Sequence, residues 1–428
     1  MISIDENIIK SLIYPNKNNI IYADYTGTGQ CSPLIDDYLK EHIYPYYANT
    51  HSNSYNSKIM TENIDKTRKL IREKLNVLDN QAIIFTGNGS TGTINHLVSS
   101  IDFKKYSKQN INIIISLYEH HSNYLPWLEK TKIYSNIKIY IIPLTDVGEI
   151  DYEWYSNLLM KLDLNDFNIT SITACSNVSG IITDIIKIKN IINQYLKNCL
   201  LFVDYACLAP YKKIDASLSD ACFISPHKFI GGISTPGLLI ASNDLFMNKC
   251  PYNPGGGCVI MADDKQVLYD DNIEVRETGG TPNIIGIIRI RLILMIKEHF
   301  QDTITKNEEF MVTYIHNKLI KLSSRVNNLT VLYLNKSLDK RLPIICISLN
   351  DCPYNDIVKI MTNLFGIQTR GGVSCCGIFA RYINNKMKIN GWCRISFHWL
   401  MTMYEINYIL NAIEYISINH KQLSKYKY

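Results

Sequence analysis

The sequence predicts an α/β protein: a large domain built on a mostly parallel, buried, seven-stranded sheet, and a smaller α+β domain after it. Strand-like apolar runs at 82–86, 112–117, 138–144, 169–175, 200–205, 221–225 and 237–241 alternate with helical or loop segments, of which 184–197 is the clearest helix. From about 300 the rhythm changes. A helical stretch is followed by strand-like runs at 328–333 and 342–349, a helix at 354–365, a strand near 392–398 and a closing helix at 403–418. The division expected is a segment 1–20, a large domain 21–300 and a small domain 301–428.

The elements follow from local signals. Ile20 to Gln30 reads as a short strand entering a Gly/Thr loop, which serves either as a plain surface turn or as a substrate-facing loop. Residues 62–76 place Ile64, Leu70, Ile71 and Leu75 at helical spacing. The last helix is opened by a capping box, Thr402-Met403-Tyr404-Glu405. With 428 residues, 46% hydrophobic and 19% charged, the chain can bury a large core as an ordinary globular protein. The net charge of +5 is spread without an arginine cluster, which argues against nucleic acid. The segment from Met1 to Asn7 carries acids where a secretory signal has basic residues, and the apolar stretch 284–296 is broken by Arg289 and Arg291, so a cytoplasmic protein without a membrane span is expected. No two of the twelve cysteines have the spacing of a metal knuckle, so reduced, buried cysteines are expected and a metal is not.

Ligands of such sheets bind beyond the carboxyl ends of the strands. After the first run, Thr86-Gly87-Asn88-Gly89-Ser90-Thr91-Gly92-Thr93 opens a helix with free N–H groups and hydroxyls, an anion site or an ordinary capping loop. It lacks the Walker lysine and the dinucleotide glycine spacing, so it suits a phosphate without indicating a nucleotide. After the second run comes Glu119-His120-His121, where one ring can face a flat cofactor or simply be structural. Asn177 follows the fourth run, and Asp204 ends the fifth. A carboxylate closing an apolar strand needs a cation, and a protonated pyridine nitrogen is one. The sixth run leads into Ser225-Pro226-His227-Lys228 and then Gly231-Gly232. A lysine there either snorkels from the strand end or acts as an amine with lowered proton affinity. Phosphate donors, a ring face, a carboxylate and a Schiff-base lysine together are the parts of a pyridoxal 5'-phosphate site.

In the second domain, Thr369-Arg370-Gly371-Gly372-Val373-Ser374-Cys375-Cys376-Gly377 presents a cysteine on a Gly-flanked loop, expected to be exposed and mobile, with an arginine nearby to favour its thiolate. Arg394, on a short strand, wants a carboxylate, and a substrate is one candidate.

These motifs, in this order from about Tyr22 to the final helix, resemble the class V aminotransferase superfamily of fold-type I pyridoxal phosphate enzymes, and within it the group II cysteine desulfurases and selenocysteine lyase-like proteins. The resemblance implies Lys228 as Schiff-base lysine, Ser90, Thr91, Ser225 and His227 as phosphate ligands, and His120 stacked on the ring. It implies Asp204 at the ring nitrogen and Asn177 near the phenolic oxygen and the substrate. Thr281, in Gly-Gly-Thr-Pro-Asn, is similar to a residue that reaches the neighbouring subunit's phosphate, which implies a homodimer. Arg394 is similar to the substrate-carboxylate arginine. Arg370, Gly372 and Cys375 match the Arg-x-Gly-x-x-Cys loop, with Cys375 at the nucleophile's position. Three residues depart from the pattern: Cys207 where many members have glutamine, Val373 where a polar residue is frequent, and Cys376 as a second thiol. The expected reaction takes sulfur from L-cysteine, leaving L-alanine and a persulfide on Cys375 for an acceptor protein. A transaminase, a lyase or epimerase on another amino acid, and an inactive dimeric scaffold are the alternatives.

Overall fold

A computed structural model describes residues 4–50 and 52–423; the extreme ends of the expected first segment (1–3) and last domain (424–428) lie outside them. All seven expected runs are strands of one sheet: β1 (Gln81–Thr86), β2 (Ile111–Ser116), β3 (Ile137–Ile142), β4 (Phe167–Thr173), β5 (Leu200–Asp204), β6 (Ala221–Ile224) and β7 (Gly237–Ser242). Their order is β1-β7-β6-β5-β4-β2-β3, and only β7 runs antiparallel to its neighbours. The carboxyl ends of the other six therefore point to one edge. Apolar side chains pack on both faces of the sheet, with Ile83, Ile114, Ile172 and Val203 in one cluster and Ile84, Ile113, Ile169 and Phe202 in the other. The period-2 side-chain direction of a strand produces that division.

Beyond the sheet, a long helix Ile284–His299 leads through Phe300 to a second helix, Gln301–Ser323. A four-stranded antiparallel sheet follows, in the order β8 (Leu329–Val331), β9 (Ile344–Leu349), β11 (Trp392–Ser396), β10 (Arg370–Gly372). The helix expected at 354–365 is Tyr354–Phe365. The closing helix runs over Met403–Leu423, and its capping box is formed: Thr402 N donates to Glu405 Oε2 at 2.7 Å and Glu405 N to Thr402 Oγ1 at 3.2 Å.

Three elements differ from expectation. The helix expected at 62–76 begins seven residues earlier and spans Tyr55–Lys74, because its buried row continues through Ser57 and Met60, and small polar residues in such a row weaken the apolar signal. Arg370–Gly372 is an edge strand, although Arg-Gly-Gly has no strand signature. Ile21–Tyr22 pairs in parallel with Ile367–Gln368, and Asp24 bridges to Ser396, so the first strand joins the chain's C-terminal part. Among the described residues no helix is long and apolar enough to cross a membrane.

The core holds a titratable ring just beyond β11. His398 is 2% exposed, stacks on Tyr25 with centroids 4.0 Å apart, and burial pulls its pKa down to about 3. Above the ordinary histidine value both folded and unfolded chains hold this ring neutral. Below it only the unfolded chain takes up a proton, so stability falls as pH drops from 6.5 towards 3. His398→Phe keeps the stacking and removes the titration. In urea melts the stability lost on acidification below pH 6.5 should be smaller in the variant by about 1.4 kcal/mol per pH unit; equal losses contradict a neutral His398.

Candidate active site

The strand ends build one cavity of about 230 Å³. The turns after β1, β2, β4, β5 and β6 bring Ser90, Thr91, His120, Asn177, Asp204, Ser225, His227 and Lys228 to it, while β10, β11 and the cysteine loop bring Arg370, Arg394 and Cys375. Every expected site residue lines this cavity except Thr281. Thr281 is exposed in a neighbouring groove with Thr278, Asn253 and Asn88, and Asn88 also lines the cavity.

At one end a helix, Gly89–Ser100, starts against Ser225. Ser90 N donates to Ser225 Oγ at 2.8 Å, that hydroxyl donates to Ser90 Oγ at 3.1 Å, and Thr91 Oγ1 lies 2.6 Å from Ser122 Oγ. Gly89 permits this packing: its φ is +54°, and a Cβ there would stand 2.6 Å from His227 Cε1 and 2.8 Å from Ser225 Oγ. Hydroxyls, an imidazole and a helix N-terminus facing one space are the donor set of a phosphate.

In the middle, Asp204 is 2% exposed, accepts from Ala206 N at 2.9 Å and has no ion pair among the described residues. Burial raises its pKa, and the Ala206 hydrogen bond and the Lys228 charge work against that rise. Lys228 carries the opposite perturbation, since burial drives its ammonium towards the neutral amine. His120 caps the helix His121–Thr131, with its Nδ1 accepting from Ser122 N at 3.1 Å. Burial, followed by Lys228, lowers its pKa to about 3, so the ring is neutral at ordinary pH. A buried carboxylate lacking a cation, a neutral ring and a buried amine around one cavity fit pyridoxal phosphate. Cys207 lines the cavity too; a hydrogen bond from Cys175 and then the Lys228 charge pull its thiol below the usual range.

Cys375 is exposed, and hydrogen bonds tie the loop around it to the rest of the chain. Cys375 O accepts from His121 N at 2.7 Å, Gly377 N donates to His121 Nε2 at 2.9 Å, Asn177 Nδ2 donates to Ser374 O at 2.8 Å, and Trp392 Nε1 to Ser374 Oγ at 2.9 Å. Ser374 and Cys375 both adopt left-handed φ, 53° and 55°. That turn sends consecutive thiols in different directions. Cys375 is exposed at the cavity, whereas Cys376 is fully buried and donates to Asn177 Oδ1 at 2.9 Å. Burial raises the pKa of Cys376 far above the usual thiol range. The amide expected near cofactor and substrate thus also fastens the loop.

Arg394 already has a carboxylate within the chain: its Nη2 donates to Asp24 Oδ1 at 2.9 Å, and its Nη1 to Asn177 O at 3.2 Å. Nε is buried and unpartnered, and each Nη keeps one hydrogen beyond these two bonds. Asp24 is the residue that sequence reasoning passed over. Tyr-Ala-Asp24 carries a signal like that of Phe-Val-Asp204, an acid following a strand-like apolar run. Glu119 was also passed over; burial raises its pKa to about 7, against hydrogen bonds from Ser116, Asn123 and Thr173.

A fold-type I sheet with a lysine, a carboxylate and a phosphate cradle at its strand ends defines a class of cofactor-dependent enzymes on amino acids, and comparison with known proteins agrees. The chain belongs to the class-V aminotransferase family, whose model matches residues 21–409; enzymes of this family use pyridoxal phosphate. A probable cysteine desulfurase of Borreliella burgdorferi is 30% identical over 399 residues, 91% of this chain and 90% of that protein. Another from Staphylococcus aureus is 26% identical, over 93% and 92%. Among solved structures, the apo cysteine desulfurase from Thermococcus onnurineus superposes with a TM-score of 0.84 at 22% identity, covering 98% of this chain and 99% of that one. The Escherichia coli cysteine desulfurase CsdA gives 0.80 at 19%, covering 98% and 100%. At those identities the superpositions speak for the fold.

Two measurements test the site. Gly89→Ala, with its methyl driven against His227 and Ser225, should weaken retention of pyridoxal phosphate at least about tenfold, followed as visible absorbance through gel filtration; unchanged retention removes the cradle. Iodoacetamide on the folded protein should modify Cys375 and spare Cys376 in the peptide that contains both; equal labelling contradicts the buried thiol.

Proposed function

We propose that this protein is a pyridoxal phosphate-dependent cysteine desulfurase that converts L-cysteine to L-alanine and leaves a persulfide on Cys375. The observation that carries the reading is the position of the Cys375 thiol: exposed, on an anchored loop, at the cavity that Lys228 and Arg394 line. The naming of relatives as cysteine desulfurases at 30% identity over nearly the whole chain supports the same reaction.

When bound, the cofactor supplies an electron sink for the substrate's α-carbon. Lys228 is the residue proposed to hold it covalently. Its Nζ, whose proton affinity burial lowers, would be the base that accepts the proton of the substrate's α-carbon. Asp204 would keep a proton on the ring nitrogen, and His120, neutral, would lie against the ring face without adding charge. Ser90, Thr91, Ser225 and His227 would bind the phosphate. Arg394 orients the substrate carboxylate, and Asn177 fixes the cysteine loop beside it. Cys375 Sγ attacks the substrate's sulfur: the new S–S bond forms as the substrate's C–S bond breaks, and the electron pair stays with the carbon skeleton, which is protonated to alanine. One cysteine and one thiol become one alanine and one persulfide.

A homodimer is part of the proposal. Thr281 is exposed outside its own chain's cavity, and the hairpin of Val259–Ala262 and Val267–Tyr269 exposes Ile260, Met261, Val267 and Leu268. A cytoplasmic location and a sulfur-accepting protein partner complete the reading.

Incubation of the purified holoenzyme with L-cysteine should release alanine, with no keto acid required. Cys375→Ser should lower that release at least about a hundredfold while the absorbance at about 420 nm of lysine-bound cofactor persists, and Lys228→Ala should abolish both. Undiminished alanine release by Cys375→Ser contradicts the assignment, and a requirement for a keto acid points to transamination.

A further inference from the structure

Two thiols that the proposed reaction does not use stand together in the wall of the cavity. β4 and β5 are neighbouring parallel strands in which Thr173 pairs with Asp204, and Ala174 N donates to Asp204 O at 2.9 Å. The turns that leave these two strand ends carry Cys175 and Cys207. The sheet register therefore delivers both cysteines to one place, and both line the cavity. Their side chains hydrogen-bond each other, and their sulfurs lie 3.7 Å and 4.0 Å from one carbonyl, Ser176 O. Other buried thiols keep different company: Cys199, Cys222 and Cys393 meet the hydroxyls of Thr170, Ser219 and Thr369, and Cys346 meets Val178 O.

The two thiols differ in charge and access. Cys207 is the more acidic: it takes the hydrogen bond of Cys175 and feels the Lys228 and Arg394 charges, against burial and the Asp204 charge. Burial keeps the proton on Cys175, which is fully buried and also lies 3.2 Å from Gly180 O. A thiol of lowered pKa beside a protonated neighbour is the arrangement of an attacking and a resolving cysteine. We infer that Cys175 and Cys207 are an oxidation site: a peroxide-class oxidant entering the cavity of the cofactor-free chain joins them as a disulfide, and bound pyridoxal phosphate shields them. In the first step the Cys207 thiolate attacks one peroxide oxygen; the O–O bond breaks, hydroxide leaves and Cys207 becomes a sulfenic acid. In the second, the Cys175 sulfur attacks that of Cys207; the S–S bond forms as the S–O bond breaks, and the hydroxide leaves with the Cys175 proton as water. The sulfurs must close to about 2.05 Å. Losing the thiol protons orphans neither carbonyl, because Ser176 O keeps Gly180 N at 2.9 Å and Gly180 O keeps Leu342 N at 2.8 Å. The inference rests on pyridoxal phosphate as the cofactor but not on the desulfurase reading.

The test treats the full chain, cofactor-free and as holoenzyme, with hydrogen peroxide, quenches it in denaturant with N-ethylmaleimide and digests it with trypsin without reductant. In the cofactor-free chain the Cys175 and Cys207 peptides should appear joined and separate again in dithiothreitol. Fragmentation should place the link on Cys207 and the maleimide on Cys199, which shares its peptide. Prior loading with pyridoxal phosphate should slow the joining at least about fivefold. Equal rates in the two forms, or a cofactor-free chain in which Cys207 stays a thiol or joins another cysteine, overturn the inference. Cys175→Ser gives a second arm: without the resolving thiol, dimedone should trap Cys207 as its sulfenic acid at least about fivefold more than in the parent, and no increase overturns the inference as well. If that variant folds poorly, the parent chain decides alone. A chain that retains no pyridoxal phosphate refutes the cofactor reading, while the joined peptides still decide the thiol pair.

Discussion

Buried charges that cannot all neutralise one another are the constraint on which this structure depends. Asp204, Lys228 and Arg394 are brought by different elements to one cavity, and Asp24 pairs with Arg394 beside it. Asp24 satisfies part of the guanidinium charge, whereas Asp204 has no ion pair among the described residues and Lys228 is driven from its charged form. Isolated charges in such surroundings are costly, and a cationic ring nitrogen, a phosphate and a carboxylate-bearing substrate are counterparts of the kind they call for. The sheet makes this arrangement possible by pointing six strand ends to one edge, with every apolar side chain behind them in the two face clusters.

The two adjacent thiols show how backbone geometry divides chemical roles. Left-handed φ at Ser374 and Cys375 turns the chain so that Cys375 emerges at the cavity and Cys376 goes inward to Asn177. His121, next to His120, holds the loop through its backbone and its ring together. The strand-end side of the cavity and the cysteine loop are thus joined through His121 and Asn177.

Much of this was legible in the sequence. The seven strands are apolar runs long enough to be read singly, and the residues following them declare themselves by type: Gly/Ser/Thr at a helix start, an acid closing a strand, a lysine in a short polar turn. What escaped had a weaker or divided signal. Asp24 sits at the end of a two-residue strand whose partner, Ile367–Gln368, is more than three hundred positions away. Arg370–Gly372 forms a strand only because β11 offers an edge, a tertiary effect overriding propensity. Arg394 was read as seeking a carboxylate, and the requirement was right; one-dimensional reasoning had no means of seeing that the chain itself meets part of it.

The central claim, that sulfur leaves cysteine for Cys375, is tested most directly by a single turnover. Holoenzyme mixed with one equivalent of L-cysteine and quenched in alkylating reagent should give the Cys375 peptide heavier by one sulfur atom, in amounts equal to the alanine formed. Alanine formed without sulfur on Cys375, or sulfur found on Cys376 instead, would contradict the account.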